Sequence, residues 1–192
     1  MRLIRKYLLY FIFITLLSGC SYKYNIESEF SPPNNTSGKY PLDVVLILDS
    51  NYSAYTNSTS LAMGTFTFKL GPTLCDNSKI LVNTTFEQVT ISSKIEEAKK
   101  SPFQLLVIPK VVDSSTLFDE SHFVMRVHTS IVVEWTFLDE QGKVIYLTTA
   151  EGSGSVEAKF LIAWEKAIDD LFNNLYEEII SSQELKAFAD KN

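Results

Sequence analysis

The chain has 192 residues, 45% of them hydrophobic, with 17 basic and 23 acidic side chains and a formal net charge of −6. That length suits one domain with a sizeable core. The acidic balance repels phosphate backbones and anionic headgroups, which excludes nucleic acid as an expected partner.

The opening Met1-Arg2-Leu3-Ile4-Arg5-Lys6 is basic, and an apolar run, YLLYFIFITLL, follows at residues 7–17. A membrane-spanning helix needs about 20 apolar residues, so this run predicts a cleavable secretory signal over residues 1–19 rather than a permanent span. The run stops at Leu17-Ser18-Gly19-Cys20. Those four residues resemble the bacterial lipobox, in which a leucine and two small residues precede the processed cysteine. The resemblance implies a diacylglyceryl group on the Cys20 thiol and signal-peptidase cleavage between Gly19 and Cys20. Ser21, rather than an aspartate, follows the cysteine; in enteric-type sorting this implies the periplasmic face of the outer membrane. On this reading the protein meets the membrane through its lipid, and no other cofactor is expected. Removing Arg2, Arg5 and Lys6 leaves 14 basic against 23 acidic side chains, a formal charge of −9 for the processed chain. With Cys20 acylated, Cys75 has no intrachain disulfide partner, and its apolar-periodic setting marks it as a small buried hydrophobe.

Residues 21–40 (SYKYNIESEFSPPNNTSGKY) hold Pro32-Pro33, Asn34-Asn35 and Ser37-Gly38. They read as a flexible tether over residues 20–40, with a reach of about 60–70 Å when extended. One periplasmic domain is then expected over residues 41–192. It opens with Leu42-Asp43-Val44-Val45-Leu46-Ile47-Leu48, a β-branched run that fits a strand buried on both faces. The polar stretch from Asp49 to Ser60 reads as a surface loop, with Tyr52 and Tyr55 as candidates for partner contact. Thr65 to Leu70 alternates as a half-buried strand, and Gly71-Pro72 starts a helix that runs to about Thr84. A short strand at residues 87–92 and a brief helix at 93–100, capped by Ser93, come next. Leu105-Leu106-Val107-Ile108 is a second apolar strand, extended past Pro109 into Val111-Val112.

Between Phe123 and Phe137 the odd positions are Phe, Met, Val, Thr, Ile, Val, Trp and Phe, while the even ones are mostly polar. Such alternation demands a long strand with one core face and one wetter face. Asp139 to Gly142 forms a turn, and residues 144–153 return as its antiparallel partner. Glu151-Gly152-Ser153-Gly154-Ser155 is expected to break the sheet. A closing amphipathic helix then spans about 156–181, with Leu161, Trp164, Ile168, Leu171, Phe172, Leu175 and Ile179 as its apolar stripe. The order of elements predicts an α+β two-layer sandwich: a mixed or antiparallel sheet with a long C-terminal hairpin and helices on one face.

Residues that could carry chemistry are few. Asp119-Glu120-Ser121-His122 could offer metal ligands, but no second His or Cys is spaced to complete a set, so the cluster reads as a turn and no metal is expected. His128 falls on the wetter face of the long strand beside Arg126 and Ser130, where solvation explains it. Gly152-Ser153-Gly154-Ser155 lacks the order of a nucleophile elbow, and no Walker loop or dinucleotide fingerprint is present. No catalytic residue is assigned, and no enzyme is expected.

From Leu42 to about Ile180 the plan is similar to that of small, uncharacterised outer-membrane lipoproteins of the YajG-like group. The resemblance rests on the opening strand, the Leu70-Gly71 step into a helix, the Phe86–Val89 pair and the strand ending in Pro109. The hairpin turn with Asp139 and Gly142, and the Gly/Ser segment before the final helix, complete it. It implies a periplasm-facing α+β domain and supplies no catalytic residues. Two functions stay open. One is a non-catalytic accessory or assembly subunit that binds an envelope protein through a sheet edge or the polar hairpin face. The other is an auxiliary that binds a lipid or small apolar ligand in envelope transport. Exposed aromatics around a cleft would favour the second, and a flat patch with an unpaired strand edge the first.

Overall fold

The computed structural model describes residues 20–33, 38–61, 64–119 and 125–192. Among the described residues, eight strands and five helices form an α+β body. The strands are β1 (Cys20–Asn25), β2 (Tyr40–Ile47), β3 (Thr56–Leu61), β4 (Gly64–Lys69), β5 (Phe86–Ser92), β6 (Leu105–Asp119), β7 (Arg126–Leu138) and β8 (Val144–Glu157). The helices are α1 (Ser50–Ser53), α2 (Gly71–Thr85), α3 (Ile95–Ala98), α4 (Phe160–Ser181) and α5 (Gln183–Ala189).

The main sheet has the order β5-β2-β6-β7-β8, with β2 parallel to β5 and β6, and β6, β7 and β8 antiparallel. The apolar run of β2 is continuous because both of its faces are covered. Val44 and Leu46 join the main core, while Val45 and Ile47 meet Ala98, Phe103 and Leu106 in a second cluster. Pro109 lies inside β6. The parallel pairing with β2 covers only Leu105 to Val107, so Pro109 removes no donor from that ladder. In β7, Val127, Thr129, Ile131, Val133, Trp135 and Phe137 are buried, and the intervening residues face outward, partly exposed.

The expected alternation, the hairpin after Asp139, the helix starting at Gly71-Pro72 and the two-layer plan all hold. Gly142 adopts a φ of +80° in the turn, and the Asp139 carboxylate accepts from the Gln141 and Lys143 amides at 3.0 and 2.8 Å. Helix α4 lays Ala163, Trp164, Ala167, Ile168, Leu171, Phe172, Leu175, Tyr176 and Ile179 on the sheet.

Four expectations are corrected. The stretch from Asp49 to Ser60 is not a loop. Asp49 caps α1, and residues from Thr56 form edge strand β3, paired antiparallel with β4. Its composition is polar because its exposed side pairs by hydroxyls, Ser58 with Thr67 at 3.0 Å and Ser60 with Thr65 at 3.2 Å. The Gly/Ser segment does not break the sheet either. β8 continues through it to Glu157, and Gly152 and Gly154 are buried beneath α4. A Cβ on Gly152 would lie 1.9 Å from the Ala167 carbonyl oxygen, and one on Gly154 the same distance from that of Ala163. These glycines let a helix lie directly on a strand. In consequence α4 starts at Phe160, later than expected, and Leu161 stands 38% exposed outside the buried stripe.

The helix expected at 93–100 is a single turn, and a further helix, α5, follows α4 with Ser182 as its N-cap. The fourth correction concerns the segment read as a tether, and it bears on function.

Candidate functional site

Cys20 is the residue on which the sequence places its only chemistry, and it is the first residue of β1. β1 runs parallel to β4 with Cys20 in register with Gly64, Tyr22 with Phe66 and Tyr24 with Phe68. Together with β3 these strands make a three-stranded sheet in the order β1-β4-β3. Gly19 and the rest of the segment read as a signal lie outside the described residues.

Rings hold β1 in place. Tyr22 stacks on Phe66 at 5.1 Å and Tyr24 on Phe68 at 5.8 Å. Phe160, at the start of α4, stacks on Phe66 and Phe68 at 5.3 and 6.1 Å and meets the edge of Phe118 at 5.5 Å. Beyond Asn25 the chain crosses α2. Ile26 and Phe30 are buried at 3% exposure each. The Thr73 hydroxyl donates to the Ile26 carbonyl, the Phe30 amide donates to Asn77 Oδ1 at 2.9 Å, and the Ser28 hydroxyl donates to Asp169. Phe30 also packs against Phe172 and Tyr176.

Residues 20–30 therefore belong to the folded body, not to a flexible tether. The physical reason is that Tyr22, Tyr24, Ile26 and Phe30 together bury enough apolar area to offset the entropy of ordering the strand. The alternation Tyr22-x-Tyr24-x-Ile26 was the available signal, masked by the turn-forming residues that follow it.

Two surfaces of the body face solvent near these elements. Next to β1, Tyr24, Lys159, Phe160, Leu161 and Ile162 line a groove of about 310 Å³. Phe160, Leu161 and Ile162 are consecutive, and successive helix positions differ by about 100°, so one face cannot bury all three. The second surface is the outer face of β6, β7 and β8, which α2 and α4 leave uncovered. In β7, Arg126, His128, Ser130, Val132, Glu134 and Thr136 alternate outward there, all partly exposed. His128 lines a 250 Å³ groove with Ser115, Leu117, Ser130, Ser153 and Ser155, and the Ser115 and Ser130 hydroxyls lie 2.9 Å apart. It is set among hydroxyls on a solvated strand face.

β8 is an edge strand, but its middle is blocked. The Ser153 amide donates to Asp170 at 3.0 Å, and the Asn174 amide group donates to the Glu151 carbonyl at 2.9 Å. Side chains of α4 thus occupy backbone groups that another strand would need.

Glu120, Ser121 and His122 lie outside the described residues; among the described ones no cluster of three His, Cys, Asp or Glu could hold a metal ion. The tyrosines proposed as contacts are committed inside the body. Tyr52 is buried, with its hydroxyl 2.9 Å from that of Ser78, and Tyr55 is half-buried, 2.7 Å from the Ser114 hydroxyl.

Cys75 is buried on α2, and burial pushes its thiol up to about 11. At pH 8 the thiolate fraction is then about a hundredfold below that of a thiol at 9. Native protein at pH 8 is expected to resist a thiol-specific disulfide reagent at Cys75 and to react fully in urea. Rapid stoichiometric labelling of the folded protein would contradict this placement.

No protein-family model matches the chain, and no curated protein does. Its fold is similar to several solved structures. Protein XCC0632 from Xanthomonas campestris, assigned to the DUF330 family, superposes with a TM-score of 0.56 at 9% identity, over 88% of this chain and 98% of that one. A neuraminyllactose-binding hemagglutinin homolog from Helicobacter pylori gives a TM-score of 0.50 at 12% identity, over 85% and 100%. A minor lipoprotein from Acinetobacter baumannii gives 0.42 at 13% identity, over 71% and 89%. At these identities the likeness is one of fold.

Proposed function

We propose that this protein is a bacterial envelope lipoprotein, anchored through lipid on Cys20 at the periplasmic face of the outer membrane. In this reading it acts as a non-catalytic accessory or assembly subunit through protein–protein contacts. The lipobox residues Leu17-Ser18-Gly19-Cys20 support the anchor, and the plan resembling YajG-like lipoproteins supports the compartment.

The observation that carries the accessory role is the outer face of β6, β7 and β8 beyond the α3 cluster at Leu106, Ile108 and Leu138, which α2 and α4 leave open. It is broad and mixes hydroxyl, charged and aliphatic side chains, such as Lys110, Ser130, Val132, Glu134 and Thr149. A surface of that composition suits a wet, specific protein interface. The blocked middle of β8 argues for docking on this face rather than for strand addition at the edge. A carrier of apolar ligands would need an enclosed apolar cavity. The 750 Å³ cavity beside α2 mixes Ile26, Pro72 and Ile80 with Asn25, Glu27, Glu29, Lys69 and Asp76, and the more apolar groove of Tyr24, Phe160, Leu161 and Ile162 is open rather than enclosed.

The test is photo-crosslinking and affinity capture from native membranes with Cys20 intact. A crosslinker at Ser130 or Thr149 should trap one envelope protein in stoichiometric yield, and a crosslinker at Glu177 on α4 should not. Co-purified lipid with no protein adduct would overturn the accessory reading in favour of the ligand carrier.

A further inference from the structure

We propose that the anchor end of the body, built around Tyr22, Phe160 and Leu161, rests on the lipid bilayer itself. This rests on the reading that Cys20 carries the lipid, and it adds a second, non-covalent membrane contact made by the folded domain.

The argument starts from chain length. A lipid-bearing Cys20 is the first residue of β1, paired in register with Gly64. No linker stands between it and the body. Tyr22 lies two strand residues on, about 7 Å away, and Tyr24 about 13 Å away. The headgroup layer is itself about 5–7 Å deep on each side of the hydrocarbon. An acylated cysteine is held at that layer, so the surface within a few residues of it meets the membrane.

The side chains at this end suit such contact. Tyr22 is 40% exposed and Leu161 38%, and the neighbouring Tyr24, Phe160 and Ile162 are only half-buried. Phe160 stacks on Phe66 and Phe68, the register partners of Tyr22 and Tyr24, which brings the first turn of α4 to the level of those tyrosines. The groove between Tyr24 and residues 160–162 has Lys159 at its rim, and Lys159 and Lys23 are exposed. An amphipathic tyrosine, an exposed leucine and flanking lysines are the set that sits well at the boundary of headgroups and acyl chains. Arg126, also at this end, pairs with Glu157 at 3.4 Å. The far end of β8 also exposes aliphatic groups, Val144 and Leu147, but they lie about 43 and about 33 Å from Glu157 along the strand.

The test places an environment-sensitive fluorophore at Tyr22→Cys, Leu161→Cys or Leu147→Cys, in a Cys75→Ala background. Each full-length lipidated protein is reconstituted in phosphatidylethanolamine–phosphatidylglycerol vesicles that carry nitroxide-labelled lipids. Intact mass on the same samples reports whether Cys20 is acylated. Quenching at positions 22 and 161 is expected to exceed that at 147 about tenfold, given the separation along the strands. A Gly/Ser insertion of about ten residues after Ser21, adding up to about 30 Å of reach, should reduce the signal at 161 to the level of 147. Acylated protein with equal, weak quenching at all three positions would overturn the membrane contact and leave the anchor standing. Undiminished quenching after the insertion would overturn the claim that the short attachment imposes it. A mass without lipid on Cys20 would remove the anchor reading and this inference with it.

Discussion

Replacing Gly154 by alanine is expected to destabilise the fold by about 3 kcal/mol, a large effect for a single methyl group. The added Cβ would stand 1.9 Å from the Ala163 carbonyl oxygen, 2.8 Å from its carbonyl carbon and 3.1 Å from the Ala167 nitrogen. These are backbone atoms, so no rotamer change relieves the overlap and α4 must lift from the sheet. Lifting it opens the packing of Trp164, Ile168 and Leu171, which are at most 1% exposed. It also strains the Thr129 hydroxyl, which donates to the same Ala163 carbonyl at 2.9 Å. Gly152→Ala meets the Ala167 carbonyl and Leu171 in the same way, and a loss of similar size is expected. Because the overlap is with backbone, Ala163→Gly should not rescue Gly154→Ala. Gly38→Ala is the control, since nothing lies within 4 Å of its added Cβ. Thermal melts followed by circular dichroism should fall by about 10 °C for either buried glycine and by about 1 °C or less for Gly38. A Gly154→Ala melt equal to that of the unsubstituted protein would contradict the direct seating of α4 on β8.

These two glycines also mark where sequence reading met its limit. In isolation a Gly-Ser-Gly-Ser run is the composition of a turn, and only the folding back of Ala163 and Ala167 from the helix that follows it shows why a strand needs glycines here. Local pattern served well where burial follows a period. The alternation of β7 and the continuous apolar run of β2 were both legible, because each reports which faces are covered. β3 was not, since an edge strand held by hydroxyl pairs and by contacts from Asn57 to Ser114 has no apolar side to display. Leu161 was counted in the buried stripe of α4 on spacing alone, and the later start of the helix left it at the surface.

The lipobox-like motif was legible, but the surroundings of Cys20 were not. Leu17 to Cys20 could be read directly, whereas the docking of residues 20–30 depends on rings from Phe66, Phe68, Phe160 and Phe172. None of those is near in sequence. The correction changes the physical picture of the protein. On the proposed anchoring, a tether would let the domain range tens of ångströms from the membrane, whereas an ordered β1 would hold it close.

The second large effect follows from Cys20. One acyl chain gives marginal, reversible membrane binding, whereas two or more chains, at about 0.8 kcal/mol per buried methylene, hold a protein essentially permanently. Cys20→Ala removes the only thiol the lipobox offers, so all lipid attachment and the cleavage after Gly19 should be lost. No described helix is long and apolar enough to cross a membrane, so no described helix replaces the anchor by spanning the bilayer. The uncleaved precursor keeps its apolar run at residues 7–17 and can still associate with membranes, so retention alone is a poor readout. The direct measurement is metabolic labelling with a tagged fatty acid, read with intact mass, on the native chain and on Cys20→Ala. The native chain should begin at Cys20 and carry the label. The variant should carry none and keep its full precursor mass. A labelled variant, or a native chain processed elsewhere with Cys20 unmodified, would contradict the lipoprotein assignment.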